Sequence, residues 1–206
     1  MQLYTLPLGA LETNCYILAD EATKAALVID APDSADIILS FLKEHDLQAQ
    51  EIVLTHGHYD HILALKQLKE TLQIPVAIHE NGRDFLSDTV MNLAHYAGIQ
   101  WTPVQADRYL KDHDCIRLGE TTLTVLHTPG HTSDCICLLT DHILLSGDTL
   151  FWHSVGRVDH PTGSLQQEID SIKEKLLVLD DATRVYPGHG PATTIGEERR
   201  ENPYLL

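Results

Sequence analysis

An α/β or α+β architecture, with helices packed over largely antiparallel or mixed sheets, is what this chain predicts, on three observations. Short apolar runs rich in Val, Ile and Leu recur along it, amphipathic helical patterns lie between them, and a stretch over 116–146 reads as successive hairpins. The strand-like runs fall at 3–8, 15–18, 26–29, 51–55, 76–78, 116–118, 122–127, 135–140, 142–146 and 184–186. Residues 33–44 put Ile37, Ile38, Phe41 and Leu42 on one helical face. Residues 61–72 do the same with Ile62, Leu65, Leu68 and Leu72, and 164–179 with Leu165, Ile169, Ile172, Leu176 and Leu179. Pro32 ahead of Asp-Ser-Ala-Asp, and Gly163 ahead of Ser164, supply helix starts.

The 206 residues suffice to bury a core without disulfides or structural metal, and no linker, low-complexity tract or repeat divides them, so one domain over 1–206 is expected. Acidic residues outnumber basic ones 30 to 14, a net charge of −16, which argues against a nucleic-acid backbone or an anionic membrane as partner. With no signal region, and no apolar stretch near the roughly 20 residues that span a bilayer, the expected location is cytoplasmic. Cys15, Cys115, Cys135 and Cys137 lack C-x-x-C spacing and are expected as buried free thiols. Cys135 and Cys137, on one face of one strand, are too cramped to pair, in keeping with a reducing compartment.

Four places share a local pattern in which an apolar run ends beside glycine and a metal-competent residue follows. They are IVLTHGHYDH (His56, His58, Asp60, His61), LTVLHTPGHT (His131), ILLSGDTLF (Asp148) and RVYPGHG (His189). Imidazole and carboxylate are costly beside a core unless something satisfies them, and a dense His/Asp set is most simply satisfied by metal. Placed at i, i+2 and i+4, His56, His58 and Asp60 suit an extended loop, and His61 then points elsewhere, so the loop can feed two neighbouring positions. Seven donors exceed one tetrahedral ion and are enough for two ions sharing a carboxylate. No H-E-x-x-H, G-x-S-x-G, Walker A or G-x-G-x-x-G motif is present.

THGHYDH resembles the H-x-H-x-D-H signature of the metallo-β-lactamase superfamily, and TPGHTSD, GDTLF and YPGHG resemble its later motifs in order. The resemblance implies a four-layer αββα sandwich with two divalent ions, zinc first and iron or manganese as alternatives. It implies His56, His58 and His131 on one ion, Asp60, His61 and His189 on the other, and Asp148 bridging. Within the superfamily, GDTLFWHSVGRVDHPTG and TTIGEERRENPYL are similar to short bacterial proteins of the glyoxalase II (hydroxyacylglutathione hydrolase) group. That similarity implies hydrolysis of a small-molecule thioester such as S-D-lactoylglutathione, with Asp60 also orienting the attacking water. The nucleic-acid-processing branch carries an inserted domain for which this chain has no room.

The group's glutathione contacts match less closely. Arg157 fits the basic position of its G-[KR]-x-Y segment, but Asp159 and Pro191 stand at two tyrosine positions. Seventeen residues follow His189, so the group's C-terminal helical domain is not expected, and Asp134 stands where many relatives have glycine. Of the other histidines, His127 reads as a group behind a ligand, His142 as a strand opener, and His45, His79, His95 and His113 as surface or capping residues. His153 and His160 flank Arg157 and are candidates for a substrate mouth. Rival readings are a persulfide dioxygenase, which would hold a single iron with His56, His131 and Asp148, a lactonase, and a metal-binding or regulatory protein with a vestigial site.

Overall fold

A computed structural model describes residues 1–206 as two six-stranded sheets packed face to face, with helices on both outer sides. The first sheet follows chain order: β1 (Gln2–Leu8), β2 (Thr13–Ala19), β3 (Ala25–Ile29), β4 (Gln48–Val53), β5 (Val76–His79) and β6 (Arg108–Leu110). Its first three strands are antiparallel, and pairing is parallel from β3 onward. The second sheet begins with the antiparallel run β7 (Cys115–Leu118), β8 (Thr121–His127), β9 (Ile136–Thr140) and β10 (Ile143–Gly147). A small hairpin, β11 (Leu150–Phe151) with β12 (Ser154–Val155), then leaves it, and β13 (Arg184–Pro187) returns parallel to β10 beside β14 (Thr193–Thr194). Around the sheets lie α1 (Ala35–Glu44), α2 (Tyr59–Ile62), α3 (Leu65–Leu72), α4 (Ala94–Ala97), α5 (Leu165–Ser171) and α6 (Ile195–Glu201).

Alternation along the strands builds the layers. In β2, Cys15, Ile17 and Ala19 join the cluster under α1 and α3, while Tyr16 and Leu18 face the second sheet. In β9, Ile136 and Leu138 face the first sheet, and Cys137 joins Ile172 and Leu176 behind it. Strands buried on both faces need apolar side chains at every position, which is why they read as continuous runs. Three apolar clusters between four layers make the αββα sandwich.

The expected helix over 61–72 is two pieces. The His61 carbonyl accepts from Ala31 N at 2.8 Å, and Ala64 N turns to Ala31 O and Pro32 O, so the β3–α1 connection takes over hydrogen bonds a continuous helix would keep. The expected helix over 164–179 is α5 followed by a π-helical turn, Ile172–Leu176; Ser164 caps it, accepting from Gln167 N at 3.4 Å. Leu165 and Ile37, expected on buried faces, are 53% and 50% exposed. Helix α1 starts at Ala35, two residues late, behind a left-handed Ser34. Cys115 is exposed, correcting the expectation of a buried thiol, because its edge strand alternates outward at that position. No helix is long and apolar enough to cross a membrane.

Candidate metal centre

Four segments converge at one edge of the sandwich: the turn after β4 with α2, the loop between β8 and β9, and the ends of β10 and β13. They bring all seven sequence-predicted donors together in three overlapping groups: His56, His58 and His131; His56, His61 and Asp148; and Asp60, His61 and His189. His58 Nδ1 lies 3.1 Å from His56 Nε2 and 2.9 Å from His131 Nε2. His61 Nε2 is 3.6 Å from Asp60 Oδ2, and His189 Nε2 is 3.2 Å from the same oxygen. Asp148 spans the halves, with Oδ1 3.3 Å from His61 Nε2, and Oδ2 3.7 Å from His131 Nε2 and 3.5 Å from His189 Nε2. Asp60 is not on an extended loop. It lies with His61 in the helical turn α2, which starts directly after His58 and swings both side chains toward His189.

A cation fits this donor set. Buried polar atoms normally find partners, yet His58 Nε2, His61 Nε2 and Asp148 Oδ1 have none. Room is also kept for the carboxylate: a Cβ on Gly188 would come within 2.1 Å of Asp148 Oδ1 and 2.8 Å of the His61 ring. The two halves differ in protonation. Burial, then neighbouring imidazoles, hold His56 and His58 well below the usual histidine range, and burial lowers His131 too. Burial opposes charge on His61 and His189 as well, but the carboxylates facing them win, raising His61 well above the usual range and His189 to about 10. Asp148 stays well below the ordinary carboxylate range despite burial, because His61 and His189 face it.

Groups behind the donors aim them. His131 Nδ1 donates to Arg157 O at 2.6 Å and His189 Nδ1 to Leu11 O at 3.0 Å, leaving each Nε2 directed inward. His61 Nδ1 is 2.8 Å from Asp30 Oδ2, and Asp30 also accepts from Thr55 N and Thr55 Oγ1. Glu168 accepts from His131 N at 2.7 Å and Gly156 N at 3.1 Å, and its burial raises its carboxyl to about 8. Sequence reasoning missed both. Asp30 ends the apolar run ALVID and obeys the same strand-end pattern; Glu168 carries no local signal. Asp134 is fully buried behind the His56–His58 loop, its Oδ1 taking the Thr132 hydroxyl at 2.6 Å, and burial raises it to about 7.

A cleft of about 520 Å³ opens above the donors, lined by Leu11, Tyr59, Phe151, Arg157 and His160. Arg157 is paired with Asp159 through Nε and Nη2 at 3.1 and 3.0 Å, an exposed pair that leaves Nη1 open to solvent. His160 stands with its ring centroid 5.2 Å from His58 and 5.3 Å from His131. His153 does not line the cleft and bonds Glu197 at 3.1 Å. His127 stacks on buried His79 at 3.8 Å and meets Ser133 O, touching none of the seven donors, which corrects its expected place behind a ligand.

The metallo-β-lactamase superfamily profile matches residues 8–189. Hydroxyacylglutathione hydrolase GloC of Haemophilus influenzae is 32% identical, the match covering 100% of this chain and 98% of that protein. The BLEG-1 B3 metallo-β-lactamase structure is 36% identical, with a TM-score of 0.95 and 100% of both chains covered. TTHA1623 in a di-iron-bound form is 34% identical, with a TM-score of 0.88 over 98% of this chain and 100% of that one. The chain belongs to the metallo-β-lactamase superfamily.

Proposed function

We propose that the chain is a dinuclear metal-dependent hydrolase of acyl thioesters, S-D-lactoylglutathione or a related one. The observation that carries it is Asp148, whose one carboxylate lies against both halves of the cluster, His131 on one side and His61 and His189 on the other. GloC, a hydroxyacylglutathione hydrolase by name and alike over its whole length, supports the substrate class, and the di-iron form of TTHA1623 supports two ions. His56, His58 and His131 would hold one ion, Asp60, His61 and His189 the other, with Asp148 between them. Two divalent ions, zinc first, would supply Lewis acidity there, lowering the pKa of a water from 15.7 to about 7.

The chain's own groups do the rest. Asp60, steadied by the Thr13 hydroxyl at 3.2 Å, orients the attacking water by accepting its proton in a hydrogen bond. The carbonyl carbon gains the water oxygen and loses the thiolate, which departs without a proton because thiols are acidic, with pKa near 8.5; one proton of the water passes to solvent as the water ionises and the other as the product carboxylic acid ionises. Asp159 shares Arg157 with any anionic carrier, so the carrier is weakly held.

The test combines elemental analysis with turnover and oxygen uptake. Near two metal ions per chain and lactoylglutathione hydrolysis without oxygen uptake support the reading. A single iron with oxygen consumed on a persulfide replaces it with a dioxygenase. The likeness to BLEG-1 favours β-lactam hydrolysis as a second reading, decided by including a β-lactam in the same assay.

A further inference from the structure

Tyr59 stands where three cavities meet. The metal cleft is one. Another, of about 550 Å³, carries Tyr96, Arg157, Asp159 and His160. A third, about 260 Å³, lies under the β1–β2 hairpin and is walled by Leu8, Leu11, Leu63, Ala97 and Ile99. This apolar cavity shares Leu11, Tyr59 and Asp60 with the metal cleft, so a ligand reacting there can extend straight into it. None of the residues discussed as donors or carrier contacts accounts for its apolar wall.

Charge divides the two side cavities. Arg157 is the one Arg or Lys lining any of the three, and it lies away from the apolar arm. The rim of that arm carries the carboxylates of Asp33 and Asp60, which repel an anionic group. The hairpin is held close over it, since Gly9 has φ of +74° and a Cβ there would lie 3.0 Å from the Asp33 Cβ. At the roughly 30 Å³ that one water takes up in the liquid, 260 Å³ has room for about nine groups of that size. An uncharged group filling that room, joined to the reacting carbonyl, is the acyl chain of a thioester.

Building on the thioesterase reading, we propose that the Leu8–Leu11–Leu63–Ile99 cavity is an acyl-chain subsite selecting apolar acyl groups of about six to eight carbons, with the thiol carrier directed toward Arg157. Burial of each added methylene stabilises the bound transition state as well as the bound substrate, so the signature is in kcat/KM.

The experiment uses the metal-loaded full chain and acetyl, butanoyl, hexanoyl and octanoyl thioesters of N-acetylcysteamine. The expected result is a kcat/KM that climbs about fourfold per methylene through hexanoyl and then levels. Ile99→Trp, which fills the cavity, and Leu11→Asp, which charges its mouth, each flatten that climb. An independent arm follows the Leu63 and Ile99 methyl signals by NMR with uncharged probes: octanamide shifts them and acetamide does not. A flat chain-length profile with acetyl turnover intact overturns the subsite and leaves the thioesterase reading standing, as does a slope that survives both substitutions. If no thioester turns over while octanamide still moves those methyls, the apolar subsite stands and the thioesterase reading falls. Methyls unmoved by octanamide overturn the subsite.

Discussion

The two halves of the cluster are made from nearly the same side chains yet stand in opposite protonation states. His56, His58 and His131 meet through three buried nitrogens, and burial together with mutual repulsion keeps them neutral, their lone pairs free. His61 and His189 are equally imidazoles, but Asp30, Asp60 and Asp148 face them and hold protons on them. Carboxylate placement, not histidine count, decides which half accepts a cation freely and which must first release protons.

The largest effect that tests this contrast is Asp148→Ala. Removing the group common to both halves is expected to lower thioester turnover at least about 10³-fold while the chain stays folded, since its core lies in apolar layers away from the site. Circular dichroism alongside kinetics checks it; full activity in a folded variant would break the bridge assignment.

Next is pH. Because His61 and His189 carry raised pKa values, a cation binding Asp60, His61 and His189 displaces up to two protons below about pH 10. Its affinity therefore falls as pH falls, by about tenfold per pH unit for each proton displaced. The all-imidazole half has lowered values, so it displaces fewer protons over the same fall in pH. Elemental analysis after equilibration at pH 8 and pH 6 is expected to show the stoichiometry drop from near two toward one. A parallel loss of both ions would remove the distinction.

Asp30→Asn sharpens the contrast further. It removes the charge behind His61 while keeping the shape, and is expected to weaken the carboxylate-rich half about 10–100-fold with little change in the other, as competitive chelator titration would read. The smallest effect belongs to His127→Ala: with His127 stacked on His79 and clear of the donors, turnover is expected to change by no more than a few-fold in steady-state assays.

Much of this was legible in the chain because a histidine or aspartate at the end of an apolar run is conspicuous. His56, His131, Asp148 and His189 stand out by that contrast alone. The partition between halves followed from the resemblance and not from residue spacing, which put Asp60 on an extended loop; it depends on α2 turning Asp60 and His61 together, a turn held by the distant Ala31–His61 hydrogen bond. Asp30 escaped notice because an aspartate before Ala-Pro also reads as an ordinary turn former. The two-residue strands β11, β12 and β14 are too short for any periodicity to register.

The outward placement of Cys115 has a practical corollary. The thiols of Cys15, Cys135 and Cys137 are buried and pushed far up in pKa, Cys137 to about 12, so at neutral pH they are neither accessible nor nucleophilic. Cys115 alone faces solvent, on the outermost strand of the second sheet and lining none of the three cavities around Tyr59. The natural chain thus carries one covalent labelling position, where a fluorophore or surface tether attaches without engineering and without lining the metal cleft.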